Sequence, residues 1–160
     1  MLKFITDGML GKLTRWLRLL GYDVEYANDV DDKKLMAMAK KKKRILLTQD
    51  LELFQRATAR GADTFLVEGR TEAERLACMA EKYGFLLEID VNVSRCPKCN
   101  TEIRSVAKDA VVKKVQEATF KFYEEFWECP KCGQIYWQGA HWKRIVKTLE
   151  EAKKILDAKH

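Results

Sequence analysis

The sequence lacks any apolar run that approaches the ~20 residues needed to span a membrane. Its first residues, MLKFITDGMLG, also lack the basic, apolar and small-residue order of a signal peptide. No internal repeat and no low-complexity linker is present among its 160 residues. We therefore expect a cytoplasmic protein with no membrane partner, long enough for one good core or for one domain with a small appended module.

Charge is only a weak guide to function in this chain. Thirty Lys and Arg residues against 24 Asp and Glu residues give a net charge of +6, which favours a polyanionic partner without establishing one. The five cysteines are more informative. In a reducing compartment, paired cysteines indicate metal ligands more often than disulfides.

Hydrophobic periodicity alternates between strands and helices through the first half of the chain. It predicts strands at 2–6, 23–27, 44–48 and 64–67, and helices at 9–20, 31–43, 51–60 and 71–83. Strands that alternate with helices imply right-handed crossovers and a mostly parallel sheet. The predicted fold class is therefore α/β.

Acidic residues follow each of the first three predicted strands. Asp7 follows the first and Asp50 the third, while Asp29, Asp31 and Asp32 lie between the second strand and its helix. Because the carboxyl ends of parallel strands meet at one edge of a sheet, we expect some of these acids to lie together and to hold a cation. Ligands that are all oxygen favour Mg²⁺ or Mn²⁺ over zinc. Helix capping is the alternative for each acid taken singly, and it is the preferred role of Asp29 and Asp31.

A basic stripe accompanies the acids on the first predicted helix. Lys12, Arg15 and Arg18 recur every third residue, on the face predicted to lie opposite the leucines. These three residues, called the basic stripe below, could contact a phosphate backbone, although a solvated helix face is the commoner explanation.

The tetrapeptide CPKC occurs twice in the second half. The two C-x-x-C pairs can bind one tetrahedral metal ion from opposite sides. A closed, structural zinc site is therefore predicted at Cys96, Cys99, Cys129 and Cys132. A redox-active pair fits less well, because both copies carry the same Pro-Lys between their cysteines.

Aromatic residues interleaved with lysines surround the second CPKC motif. Some of these rings could stack on unpaired bases, while others must fill the small core of a zinc ribbon. Cys78 is expected to be a buried core thiol, and His141 to have a structural or surface role. The aromatic candidates are Phe120, Phe122, Tyr123, Phe126, Trp127, Tyr136, Trp137 and Trp142.

Several separated motifs resemble one family in the same order, namely DGMLGKLTRWLRLLGYDVEY, DDKKLMAMA, RILLTQDLELF, RCPKCN and CGQIYWQGAHW. Over nearly its whole length the chain is similar to the ribonuclease domain found at the C-terminus of Mut-seven proteins. The resemblance implies a PIN-like parallel sheet with flanking helices, assigned to residues 1–90. A four-cysteine zinc ribbon with a C-terminal helix is assigned to residues 91–160.

The resemblance also implies metal-dependent cleavage of single-stranded RNA. Matched residue by residue, the resemblance places the catalytic acids at Asp7, Asp32 and Asp50. It implies that these acids bind Mg²⁺ or Mn²⁺. Asp31 is an alternative to Asp32 as the second acid, and Glu52 is a candidate for a fourth.

Other residues are expected to assist. The basic stripe would contact neighbouring phosphates, and the ribbon with its aromatic rings would guide the RNA. Thr48 would bond to an acid or to a water on the metal, or would only cap the strand end.

Two other functions fit parts of the sequence. A non-catalytic RNA-binding or ribosome-associated zinc-ribbon protein would bind RNA without needing the acids. A phosphoacceptor domain also collects acids at strand ends, but it requires a lysine beyond a late strand, and none follows TFLV. A metal-dependent ribonuclease is therefore the preferred prediction.

Overall fold

A parallel sheet with helices on both faces forms the first half of the computed structural model, which describes residues 1–160. The four strands are hydrogen-bonded in the order β2-β1-β3-β4, and a helix follows each of them. This arrangement confirms the predicted α/β class. The strands are β1 (Lys3–Asp7), β2 (Asp23–Ala27), β3 (Ile45–Thr48) and β4 (Thr64–Leu66), and the helices are α1 (Gly11–Leu19), α2 (Asp32–Lys41), α3 (Leu51–Ala59) and α4 (Glu72–Tyr83).

The central strands are apolar on both faces because helices cover both faces. Phe4 and Leu47 lie in the core cluster that includes residues of α1 and α4. Ile5 and Leu46 point to the opposite face and pack with residues of α2 and α3. Burial on both sides explains why RILLT reads as a continuous apolar run, without the alternation of a half-exposed strand.

The predicted ribbon forms a small antiparallel sheet with the strand order β5-β6-β7. Val111, Phe126 and Ile135 form its own core cluster. A short helix lies in the insert between the two C-x-x-C motifs. These elements are β5 (Arg104–Val106), α5 (Glu117–Phe122), β6 (Phe126–Glu128) and β7 (Ile135–Tyr136). We refer to residues 91–141 as the ribbon.

The last helix, α6 (Trp142–Ala158), returns to the sheet domain. Its buried residues Leu149 and Ala152 belong to the core cluster that contains Phe4 and Leu76 of the sheet domain. The division expected at residue 90 groups α6 with the ribbon, whereas α6 packs against α4. No helix in the structure has both the length and the apolar character that crossing a bilayer requires.

The ribbon is hydrogen-bonded to the open edge of β2. Asn100 accepts a hydrogen bond from Val24 N through Oδ1 (3.0 Å) and donates through Nδ2 to Asp23 Oδ1 (2.6 Å). Arg18 donates through Nε and Nη2 to the Val24 carbonyl (3.0 and 2.8 Å) and through Nη1 to the Pro97 carbonyl (2.8 Å). These bonds satisfy the backbone N–H and carbonyl of Val24 on the edge strand, and they fix the ribbon relative to the sheet.

Candidate functional site

The strand order changes direction between β1 and β3, since β2 lies on one side of this pair and β4 on the other. In open parallel sheets, ligands bind outside the carboxyl ends of the strands at such a switch point. Asp7 is the last residue of β1, and Asp50 follows the end of β3 by two residues. Both predicted acids are therefore placed at the position where this topology forms a crevice.

Thr48 connects the two acids. The Thr48 hydroxyl donates a 2.9 Å hydrogen bond to Asp7 Oδ2. Thr48 Oγ1 also accepts a 3.0 Å hydrogen bond from Asp50 N. The Thr48 side chain is completely buried at the last position of β3. Of the roles expected for Thr48, the structure shows the hydrogen bond to an acid, Asp7.

Backbone amides fix the orientation of both acids. Asp7 Oδ1 accepts from Met9 N (3.0 Å) and caps the 3₁₀ turn that precedes α1. Asp50 Oδ1 accepts from Glu52 N and Leu53 N (2.9 and 3.2 Å) and caps α3. Both acids therefore cap a helix, which was the alternative role expected for each acid. Capping uses only Oδ1 of Asp50 and leaves its Oδ2 without a protein donor.

Asp31 and Asp32 have different roles at the start of α2. Asp31 is the N-cap and accepts a 2.8 Å hydrogen bond from Lys34 N, which confirms its expected capping role. Asp32 is the first helical residue, and its Oδ2 accepts a 2.5 Å bond from Arg56 Nη2 of α3. Asp29 is exposed and makes no hydrogen bond, so its expected capping role is not seen.

The three predicted acids lie on the same side of the sheet. Strand alternation puts Asp7 and Thr48 on the face covered by α2 and α3, the helices that carry Asp32 and Arg56. The oxygens of the three carboxylates do not all lie within 4.8 Å of one another. We refer to Asp7, Asp32 and Asp50 as the acid edge.

Arg56 was not predicted, because its contact with Asp32 joins two helices that are separated in sequence. Glu52 lies one turn earlier on α3 and is exposed. The structure shows no bond between Glu52 and the other acids.

The basic stripe is only partly exposed. Lys12 and Arg15 face solvent, as expected. The prediction that Arg18 shares this exposed face is wrong, since Arg18 is only 7% exposed and its donors are occupied by backbone carbonyls. The reason is that α1 packs against the sheet on one side and against the ribbon on another. Burial lowers the pKa of Arg18, although Cys96 and Cys99 act in the opposite direction.

The four predicted zinc ligands form one cluster. Their sulfur atoms all lie within 4.8 Å of one another, with Cys96–Cys132 and Cys99–Cys129 separations of 3.7 and 3.3 Å. A tetrahedral ion with zinc–sulfur bonds of ~2.3 Å requires sulfur separations of about 3.8 Å. The thiolate set therefore fits structural zinc.

The two C-x-x-C turns have the same backbone design. Asn100 N donates to the Cys96 carbonyl (2.8 Å) and Gly133 N donates to the Cys129 carbonyl (2.9 Å). Asn100 and Gly133 also both have left-handed backbones, with φ values of 72° and 76°. The repeated turn brings two thiolates from each motif to one point.

Neighbouring groups stabilise the thiolates. Burial acts to raise the pKa of Cys99, but hydrogen bonds from Thr101 and the neighbouring sulfurs outweigh it and lower the pKa to about 6. The Tyr136 hydroxyl lies 3.0 Å from Cys96 Sγ. Burial raises the pKa of Tyr136, and its bond to Cys96 adds to the increase, so this hydroxyl is a hydrogen-bond donor to the sulfur.

The remaining candidates are placed as follows. Cys78 is half-buried on α4 rather than fully buried, and burial raises its pKa. His141 is exposed just before α6 and lies outside the metal cluster. Among the ribbon aromatics, Phe126 and Trp127 are buried, whereas Phe122 is 78% exposed and contacts the edge of Tyr123 with ring centroids 4.9 Å apart.

A family model matches most of the chain. No curated protein and no solved structure matched the chain. The family model described as "Mut7-C RNAse domain" matches residues 2–149, a span that includes the acid edge and all four cysteines of the metal cluster. The chain therefore belongs to the Mut7-C RNAse domain family.

Proposed function

We propose that the protein is a metal-dependent ribonuclease that hydrolyses phosphodiester bonds of single-stranded RNA at the acid edge. The observation that carries this proposal is the bond from Thr48 to Asp7 beside Asp50, at the switch point of a sheet in a ribonuclease-family chain. The Thr48 hydroxyl is buried and hydrogen-bonded on both sides, so it fixes the carboxylate of Asp7 relative to the backbone of Asp50.

The donor chemistry of the acid edge fits a hard divalent cation. Carboxylate oxygens are the preferred ligands of Mg²⁺ and Mn²⁺, and Asp50 Oδ2 has no donor from the protein. Asp7 and Asp50 would hold the cation, and Asp32 would join them when Arg56 releases it. A bound cation would help to activate the attacking water and would stabilise negative charge that develops on the phosphate.

The protein's own groups supply position and charge. Thr48 and the capping amides hold the carboxylates in fixed orientations before substrate arrives. Lys12 and Arg15 are exposed on α1 and would contact phosphates beside the scissile bond. Arg56 would become available to a phosphate once it leaves Asp32. Phe122 offers an exposed ring to an unpaired base.

A cleavage assay tests this proposal. End-labelled single-stranded RNA would be incubated with Mg²⁺ or Mn²⁺ and with wild type, Asp7→Asn or Asp50→Asn, each checked for folding and zinc content. Cleavage should need the cation and should fall by about 100-fold or more in both variants. Asp29→Asn is the matched control, because Asp29 is an exposed acid at the same sheet edge that makes no hydrogen bond. It should cut RNA like the wild type.

One observation favours a second candidate. Asp32 is held by Arg56 in a surface ion pair, and the three carboxylates do not converge within 4.8 Å. Such an edge suits a non-catalytic RNA-binding or ribosome-associated protein in which the ribbon makes the contacts. In that case the wild type would bind RNA without cutting it, and both acid variants would bind equally well.

A further inference from the structure

An open cleft runs between β2 and the two C-x-x-C turns of the ribbon. Basic side chains dominate its walls, and Glu25 is the one acid among its lining residues. Each C-x-x-C motif contributes the lysine between its cysteines. We call this feature the basic cleft. Besides the buried Arg18, its lining cations are Lys3, Lys42, Arg44, Lys98 and Lys131.

Two of these cations are already neutralised within the protein. Lys42 pairs with Glu25 at 2.6 Å, and Arg44 pairs with Asp23 at 2.8 Å. Both pairs lie against β2, on the sheet side of the cleft. They connect the wall of the cleft to the strand and leave little net charge there for a ligand.

The other three cations have no acidic partner. Lys3, Lys98 and Lys131 are exposed, and Lys98 donates only to the neutral Gln134 side chain, at 2.7 Å. A counter-ion role toward the zinc thiolates is the simplest alternative for the two ribbon lysines. Lys98 instead points to an amide oxygen, and Lys131 makes no bond to sulfur. The cleft therefore presents to solvent three lysines that pair with no carboxylate.

The basic cleft extends along β2 towards the acid edge. Tyr26 lines the cleft, and its hydroxyl donates a 2.9 Å hydrogen bond to the carbonyl of Gly8, the residue that follows Asp7. Lys3 and Asp7 are the first and last residues of β1. At about 3.3 Å per residue, the strand separates them by roughly 13 Å. A chain of phosphates lying along the β2 edge would thus run from the ribbon lysines to the acids.

We propose that the basic cleft binds the phosphate backbone of single-stranded RNA on its way to the acid edge, an inference that rests on the proposed function. Lysines act here as point charges that position the backbone without reading its sequence. Because Asn100 and Arg18 fix the ribbon against β2, the lysines on the two sides of the cleft are held at a set spacing. The ribbon then serves as one wall of a phosphate-binding groove.

The test is RNA binding by charge-reversal variants. Lys98→Glu/Lys131→Glu would be compared with the wild type and with Lys147→Glu/Lys154→Glu, which makes the same charge change at exposed positions of α6. A fluorescent single-stranded RNA is titrated into zinc-loaded protein without Mg²⁺ or Mn²⁺ at several salt concentrations. The cleft variant should bind about 10-fold or more weakly, and the control should stay within about 2-fold of wild type.

The salt dependence gives a second, independent readout. Each phosphate contact on a single strand contributes about 0.7 to the slope of log affinity against log salt. Lys98→Ala/Lys131→Ala, which places no acid near the thiolates, should lower that slope by about 1.4. In the cleavage assay, both cleft variants should raise KM and leave kcat unchanged at saturating RNA.

Failures of the two proposals are distinguishable. If the wild type cuts RNA and the cleft variants keep its affinity, slope and KM, the basic cleft is not the RNA path and only this inference is overturned. If the wild type never cuts RNA but the cleft variants lose binding, the groove stands and the ribonuclease proposal falls. Equal RNA affinity in the cleft and α6 variants would also overturn the inference, since it would show that net charge alone decides binding.

Discussion

Thr48 donates a 2.9 Å hydrogen bond from the end of β3 to Asp7 at the end of β1. The parallel register pairs Thr6 with Leu47, so Thr48 is the next residue along and comes level with Asp7. The buried strand therefore does more than fill the core. It carries a hydroxyl to the one sheet position where it can orient the carboxylate of Asp7 and the backbone of Asp50 together.

Replacing Thr48 tests this positioning role. In Thr48→Val, Asp7 loses a donor and Asp50 N loses its acceptor, so kcat should fall by about 100-fold, as expected when reacting groups are slightly misplaced. KM should change little. The free energy of unfolding should also fall by about 1 kcal/mol, because a partly buried amide is left without its acceptor. Thr48→Ser keeps the hydroxyl and should recover most of the kcat. A Thr48→Val enzyme with wild-type kcat would contradict the role.

Tyr136 is expected to strengthen zinc binding. Its hydroxyl lies 3.0 Å from Cys96 Sγ, and an outer-shell bond of this kind is commonly worth 10–100-fold in metal affinity. Tyr136→Phe should therefore lose zinc to a competing chelator at about 10-fold lower chelator concentration. Tyr123→Phe removes a hydroxyl from the same ribbon without touching a sulfur, and it should retain zinc normally. Equal zinc retention by both variants would show that the Tyr136 contact has no energetic effect.

Asn100 should couple the ribbon to the sheet. Asn100→Gly keeps the left-handed backbone but removes the bonds to Val24 and Asp23, so denaturant unfolding should show a loss of about 1–3 kcal/mol. Asn100→Ala should cost about 1 kcal/mol more, because alanine is disfavoured in the left-handed region.

Gly133→Asn is the control for Asn100. It places the same side chain at the equivalent position of the second turn, where a Cβ would have no neighbour within 4 Å. Asparagine tolerates the left-handed backbone of Gly133 (φ 76°) better than most residues, so the free energy of unfolding should fall by less than about 1 kcal/mol. If Asn100→Gly were equally neutral, the ribbon would not depend on Asn100 for its placement.

Asp23 should make stability depend on pH in the acid range. Burial acts to raise the pKa of Asp23, but hydrogen bonds from Arg44 and Asn100 outweigh it, so its pKa in the folded protein is lowered. A lowered folded pKa means that Asp23 stabilises the protein above the unfolded value of about 3.9, and that this stabilisation is lost as the pH falls through the folded pKa.

Unfolding of wild type and Asp23→Asn, measured from neutral pH downwards at matched zinc content, checks this sign. The wild type should be the more stable protein near neutral pH. The difference in the free energy of unfolding should shrink once the pH drops below about 4. A difference that is constant over the whole range would mean that Asp23 does not titrate differently in the folded and unfolded states.

The sequence predicts the elements of the sheet and the metal cluster because both depend on local signals. Buried strands and amphipathic helices leave their own periodicity, and C-x-x-C fixes two ligands within one turn. The positions of Asp7 and Asp50 also follow, since the carboxyl ends of parallel strands share one edge.

Contacts between distant segments leave no such signal. Arg18 has the spacing of a solvent-exposed residue, yet the ribbon packs over it and the Pro97 carbonyl accepts a hydrogen bond from its Nη1. The Asp32–Arg56 pair depends on how α2 and α3 lie side by side, and α6 packs with the sheet domain although it follows the ribbon in sequence. Each of these features is set by tertiary packing.

The central claim is that Asp7 and Asp50 together hold a divalent cation, and Mn²⁺ binding followed by electron paramagnetic resonance tests it most directly. Zinc-loaded wild type should bind Mn²⁺ at the acid edge. Asp7→Asn and Asp50→Asn should each weaken binding by about 100-fold or more, since even outer-shell changes cost 10–100-fold. Asp29→Asn should bind like the wild type. If all four proteins bind Mn²⁺ equally, or if none binds it, the acid edge is not a cation site.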